Sequence, residues 1–152
     1  MKTDYTVQQM LPHGSSMILL DEVIDYDFEK NYLISKVKIH EKMPFFDKKI
    51  NGINPIIGME FMAQTIGCFS FLKNNITKPK LGFLLGSRLY NNAIKNFENE
   101  KEYYIKVKEI FTDNQICSFD CQIFDNKDEE VACATINAYQ PKNIKEILKN
   151  YD

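Results

Sequence analysis

This 152-residue chain is poor in histidine and arginine, and its cysteines are not closely paired. Its histidines are His13 and His40, and its cysteines, Cys68, Cys117, Cys121 and Cys133, form no Cys-x-x-Cys pair, so the usual spacing of a metal site is missing. The cysteines read as reduced core thiols. Arg88 is the sole arginine, the lysines are scattered rather than striped among aromatics, and the formal charge is -2 with a pI near 5.7, which excludes a typical nucleic-acid surface. Residues 1–9 lack the apolar core of a signal peptide, and the longest apolar run is interrupted by Glu60 and Gln64. A cytoplasmic protein with no membrane partner is expected, and no internal repeat or low-complexity tract breaks it up.

The composition, 44% hydrophobic and 26% charged, fits one globular domain over residues 1–152 with no linker. Its most informative stretch is 55–72, where Glu60 is the only charge and, Gln64 apart, the other residues are apolar or small. A helix apolar around most of its circumference belongs in a core, where an unpaired carboxylate is costly and responds by raising its pKa. Such a cost calls for a reason.

The order of elements surrounds that helix with strands. Residues 4–11 can form a short helix, and 17–25 and 32–39 read as a hairpin of β-branched and long apolar residues. After an irregular loop, Asn54 supplies an N-cap and Pro55 a first-turn proline, and the helix runs to about Lys73 before the polar Asn74-Asn75. Strands follow over 80–90, 102–112, 115–124 and 130–139, separated by turn signals at 91–92, 113–114 and 125–128, with a terminal helix over 142–150. In the third of them, Cys117, Phe119 and Cys121 share one face. Two strands, one long apolar helix and four strands give an α+β domain whose antiparallel sheet wraps the helix, which is the order of a hot-dog fold.

Specific residues then resemble a family. Leu11-Pro12-His13, followed by Leu19-Leu20-Asp21-Glu22-Val23, is similar to the opening segment of the hot-dog 3-hydroxyacyl-[acyl carrier protein] dehydratases, and Glu60-Phe61-Met62-Ala63-Gln64 to their Glu-x-Met-Ala-Gln on the central helix. The nearest likeness is to the dehydratase-like subfamily of aryl polyene gene clusters, which adds a Leu-Gly-x-Arg strand, here Leu85-Gly86-Ser87-Arg88. The mainstream dehydratases carry a Gly-His-Phe-Pro-Gly loop whose histidine is the base. Here 45–55 is shorter and holds no histidine, as in the aryl polyene subfamily.

The resemblance implies loss of water from a 3-hydroxyacyl thioester on acyl carrier protein, in fatty acid or aryl polyene type biosynthesis, with no metal or organic cofactor. A base removes a proton from C2 and an acid protonates the departing hydroxyl. Glu60 in an apolar wall suits the acid, and the backbone N–H groups near Ile57 and Gly58 suit the thioester oxygen. His13 is the first choice for the base and His40 the second. Other roles stay open beside these. Glu60 can be a structural carboxylate paired with Arg88, a lysine or a backbone donor across a dimer interface, and His13 can satisfy backbone groups at a turn. Gln64, one turn after Glu60, can orient the carboxyl or, the slightly favoured reading, cap a neighbouring backbone group. Phe45 and Phe46 can line an acyl tunnel or pack in the core. Arg88 can hold a carboxylate, meet an acidic carrier protein or stay solvated.

Two other functions compete. One is a non-catalytic or half-catalytic subunit paired with a paralogous dehydratase, since hot-dog dimers divide a dyad between subunits. The other is an acyl thioesterase, in which the helix carboxylate directs water at the thioester. Either way a dimer is expected, homomeric or heteromeric, because a small fold with an open edge strand has surface to cover.

Overall fold

A computed structural model describes residues 1–11, 17–74, 83–113 and 116–139; for 83–88 and 139 it describes the backbone. His13 and the expected helix over 142–150 lie outside the described residues. The elements are α1 (Val7–Met10), β1 (Glu22–Asp27), β2 (Tyr32–Lys38), β3 (Phe46–Asp47) and β4 (Gly52–Ile53), then a 3-10 turn (Pro55–Ile57) leading into α2 (Gly58–Lys73). After it come β5 (Phe83–Asn92), β6 (Phe97–Glu98), β7 (Glu102–Asp113), β8 (Ile116–Phe124) and β9 (Glu130–Tyr139).

Alternation decides how the strands lie. In β2 the buried residues are Leu33, Ser35 and Val37, in β7 Tyr103, Ile105 and Val107, and in β8 Phe119, Cys121 and Ile123, so one face of each turns inward. The pairing is antiparallel throughout in the order β1-β2-β7-β8-β9-β5, and β3, β4 and β6 form a second, short sheet. Helix α2 lies against the inward face and contacts β2, β7, β8 and β9, the hot-dog arrangement that the element order implies. By length and composition 55–73 could cross a membrane, but here it is the core helix. Its Phe61, Met62, Thr65, Ile66, Cys68, Phe69, Phe71 and Leu72 are all buried.

Edge-to-face ring pairs fix the helix lengthwise. Phe61 meets Phe97 with centroids 5.2 Å apart, Phe97 meets Tyr103 at 5.0 Å, and Phe69 meets Phe119 at 5.4 Å. Lys73, in the last turn, closes the far end by an ion pair of 2.5 Å with Glu109 of β7. On the side away from the sheet, α1 packs so closely that a Cβ on Gly67 would lie 2.8 Å from Leu11 Cδ2.

Three boundaries differ from those expected. The first helix shrinks to α1, because Thr6 caps it through a reciprocal pair with Gln9. The strand expected from 17 begins at Glu22, since Met17 and Leu19 hydrogen-bond to Gln64 of α2. Asn91 and Asn92 are not a turn but the end of β5, paired with Cys133 and Ala132.

Candidate active site

The candidate site is at the head of α2. Asn54 caps the entry as expected, its Oδ1 accepting from Ile56 N at 3.0 Å, and Pro55 takes the first helical position, where no N–H is needed. The entry is tighter than an α-helix. Ile57 N donates to Asn54 O at 3.0 Å and Gly58 N to Pro55 O, so the two amides expected to receive a thioester oxygen are already bonded inside the turn. Ile57 is half-buried against the core and Gly58 is buried.

Glu60 follows on the second turn. It is half-buried, as are Met59 and Ala63, so it is less enclosed than the apolar run by itself implies. Gln64 is its fixed neighbour. The Gln64 side chain is 1% exposed, its Nε2 donates to Glu60 Oε1 at 3.1 Å and to Met17 O at 2.9 Å, and its Oε1 accepts from Leu19 N at 2.9 Å. Gln64 thus contacts both the Glu60 carboxyl and the backbone of the segment that precedes β1. The next residue, Thr65, donates to Phe61 O at 2.7 Å and meets Ser35 of β2 at 2.7 Å. This polar pair ties the helix to the sheet within an otherwise apolar core.

The remaining candidates are dispersed. His40 is exposed at the end of β2, and its Nδ1 accepts from Lys42 N at 3.3 Å. That contact occupies the ring's basic lone pair in the neutral form, leaving Nε2 as the protonated nitrogen. His40 lines a cavity of about 590 Å³ with Gln8, Leu19, Asp21 and Met43, among others, and Glu60 does not line it. Phe45 has φ 69° and is 49% exposed, so it faces solvent, whereas Phe46 in β3 packs on the core. The backbone of Arg88 pairs with Thr135 of β9.

One residue at the head of α2 is missed by reading the sequence. Tyr90 of β5 donates its hydroxyl to Pro55 O, and burial pushes that phenol up to about 12. A Cβ on Gly58 would lie 2.3 Å from the Tyr90 oxygen, so a glycine is required where the two meet. No motif marks Tyr90, because its direction is set by a strand irregularity that alternation does not foretell.

A long helix held in an antiparallel sheet, with a carboxylate at its head, makes this a hot-dog protein. Solved structures of the same shape include the dehydratase heterocomplex ApeI:P from Xenorhabdus doucetiae, with a TM-score of 0.87, 24% identity and 99% of each chain covered. A hypothetical thioesterase with coenzyme A from Streptococcus pneumoniae matches at 0.61 and 14% identity, over 79% of this chain and 84% of that one. The PaaI protein of the E. coli phenylacetic acid degradation operon matches at 0.61 and 6%, over 80% of each. At these identities the likeness establishes the fold. No curated protein matches the sequence. The family is settled by a different comparison: residues 5–149 match the ApeP-like family model, described as ApeP dehydratase, and the chain belongs to that dehydratase family.

Proposed function

We propose that the chain removes water from 3-hydroxyacyl groups carried on acyl carrier protein, giving trans-2-enoyl thioesters in aryl polyene assembly, as one subunit of a dimer with a paralogous dehydratase. The observation that carries this reading is Glu60, oriented by Gln64 at the head of the core helix of an ApeP-like chain. A base takes the proton from C2, the electron pair forms the C2–C3 double bond, and Glu60 protonates the departing C3 hydroxyl, which leaves as water. Glu60 then takes up the proton held by the base before the next cycle, directly or through water. No metal or organic cofactor enters these steps.

The base is the divided part of the site. His13 is this chain's own candidate, while the absence of a histidine from 45–55 favours a loop histidine of the partner. Heteromeric pairing is also supported by the 99% mutual coverage with a chain from the ApeI:P heterocomplex. A contact surface is at hand: Phe45, Ile56 and Leu89 are 49%, 58% and 83% exposed, and Ile56 and Leu89 each adjoin a residue of the Tyr90–Pro55 bond. Such a pair of single hot-dog domains would work in the cytoplasm.

The test is mass-spectrometric conversion of a carrier-bound 3-hydroxyacyl group by this chain alone, by a paralogue containing the Gly-His-Phe loop, and by the two together. Water loss that needs both chains and collapses in Glu60→Gln is expected. Full turnover in Glu60→Gln would sink the assignment of the acid, and activity of this chain alone that is lost in His13→Ala would replace the partner's base with His13. The hypothetical thioesterases from Streptococcus pneumoniae share only the fold, at 13–15% identity. Thiol release from acyl-coenzyme A by the wild type would reopen that reading.

A further inference from the structure

We infer that Tyr90 is a positioning residue for the reaction assigned to Glu60: a bulge in β5 aims its hydroxyl at Pro55 O, and this bond sets the turn from which α2 presents the carboxyl. The inference rests on the dehydratase reading.

The bulge is visible in the register. Arg88 pairs with Thr135 and Asn91 with Cys133, so Leu89 and Tyr90 together oppose the single residue Ala134. Leu89 takes the strain, with φ 55°, and is turned out to 83% exposure, while Tyr90 is half-buried and packs on the core. Leucine in the left-handed region is disfavoured by its Cβ, and such a residue persists only where its surroundings over-determine it. Bulges of this kind re-aim a side chain, and here the side chain they re-aim is Tyr90.

What Tyr90 reaches is the start of the helix. Pro55 O already accepts from Gly58 N within the 3-10 turn, and the phenol adds a second donor to the same oxygen. The bond needs the phenol protonated. Burial keeps it so, pushing the pKa up to about 12, far above any working pH. Gly58 leaves the space, since any Cβ there would fall 2.3 Å from the Tyr90 oxygen, 3.1 Å from Phe97 Cζ and 3.2 Å from Ile123 Cδ1. Glu60 is two residues further along. Its carboxyl is thus held from two directions: Gln64 grips the head group and Tyr90 the backbone turn beneath it. A shift of an ångström in a catalytic group is enough to cost a large factor in rate, so the clamp acts on turnover as well as on stability.

Tyr90→Phe keeps the ring and removes the hydroxyl. In the complex of this chain with its partner, kcat is expected to fall about tenfold, with KM unchanged and the pH profile keeping its shape, well below the melting temperature. Amide hydrogen exchange at residues 56–60 should speed up in parallel. Gly58→Ala should also lower kcat, and should cost less in the Tyr90→Phe background than in the wild type, because the oxygen it collides with is gone. A kcat within about twofold of wild type in Tyr90→Phe, alongside a Glu60→Gln-sensitive activity, would overturn the positioning role alone. A displaced pH profile would also overturn it, by making Tyr90 a titrating participant. No enoyl product from the wild-type complex would overturn the dehydratase reading and this inference with it.

Discussion

Gln64 and Glu60 are joined by a hydrogen bond whose direction is dictated from elsewhere. Leu19 N can only donate, so the Gln64 oxygen must face Leu19 and Nε2 must face the Glu60 carboxyl, as well as Met17 O. The acid of the proposed reaction is therefore oriented by the peptide backbone ahead of β1, through one buried amide. Two parts of the chain that look like separate motifs are mechanically one.

Glu60→Gln keeps the size of the side chain and removes the proton that it delivers. The variant should fold and melt close to wild type, because the parent is half-buried, while dehydration falls by about a hundredfold or more. Quantifying enoyl product by mass spectrometry, beside a thermal melt, separates the two effects.

Gln64 should behave differently from Glu60. Gln64→Ala leaves Leu19 N–H and Met17 O without their partner, and is expected to cost about 2–3 kcal/mol of stability as well as turnover. Gln64→Glu places a second carboxylate beside Glu60. Like charges repel in a buried setting, so this variant too should lose stability and turnover, which a thermal melt beside the product assay will show.

Ser35 and Thr65 allow a cleaner energetic test. The Thr65 hydroxyl proton goes to Phe61 O, so Ser35 must be the donor in the 2.7 Å contact between the two hydroxyls. Thr65→Val strands a buried donor on Ser35 and should cost about 2 kcal/mol, Ser35→Ala about 1 kcal/mol, and the double variant less than their sum. Urea denaturation of the four proteins reads this directly.

The buried acids predict weakness in alkali. Burial pushes the Cys68 thiol from 9.0 to about 12 and the Tyr90 phenol from 10.0 to about 12, and it raises Cys121 as well. A group whose folded pKa lies above its unfolded value supports the fold fully below the unfolded value, and that support is lost as pH rises toward the folded one. Stability should therefore decline from about pH 9 upward, less steeply in Cys68→Ala. At about pH 8, iodoacetamide should label Cys68 and Cys121 only after unfolding, which peptide mapping will show.

Much of the fold is legible because it rests on local signals. Asn54 and Pro55 mark the head of α2 and Asn74 its end, and the limits of β9 fall where β-branched and small apolar residues begin and end. Glu60 stands out as the one charge in an apolar run. The rest depends on partners distant in sequence. Leu19 and Leu20 read as strand until Gln64 takes the Leu19 amide, and Asn91-Asn92 reads as a turn until Cys133 and Ala132 pair with it. The short sheet of β3, β4 and β6 has strands of two residues each, too brief for any periodicity. Ile57 and Gly58 look like waiting donors because a first helical turn normally has unsatisfied N–H groups, and only the 3-10 geometry shows them occupied.

The order of strands has a consequence for synthesis. Among the described residues β5 is the first strand after the core helix, yet its partner within the sheet is β9, the last of them. On the ribosome β5 emerges with an unpaired edge and waits until about 40 more residues have been translated before it can join the sheet. The irregularities between Leu84 and Gly86 and between Arg88 and Asn91 make that edge a poor template for a straight neighbouring strand. Once β9 has paired, the kink that delivers Tyr90 also bends the open edge of β5 away from a straight intruding strand.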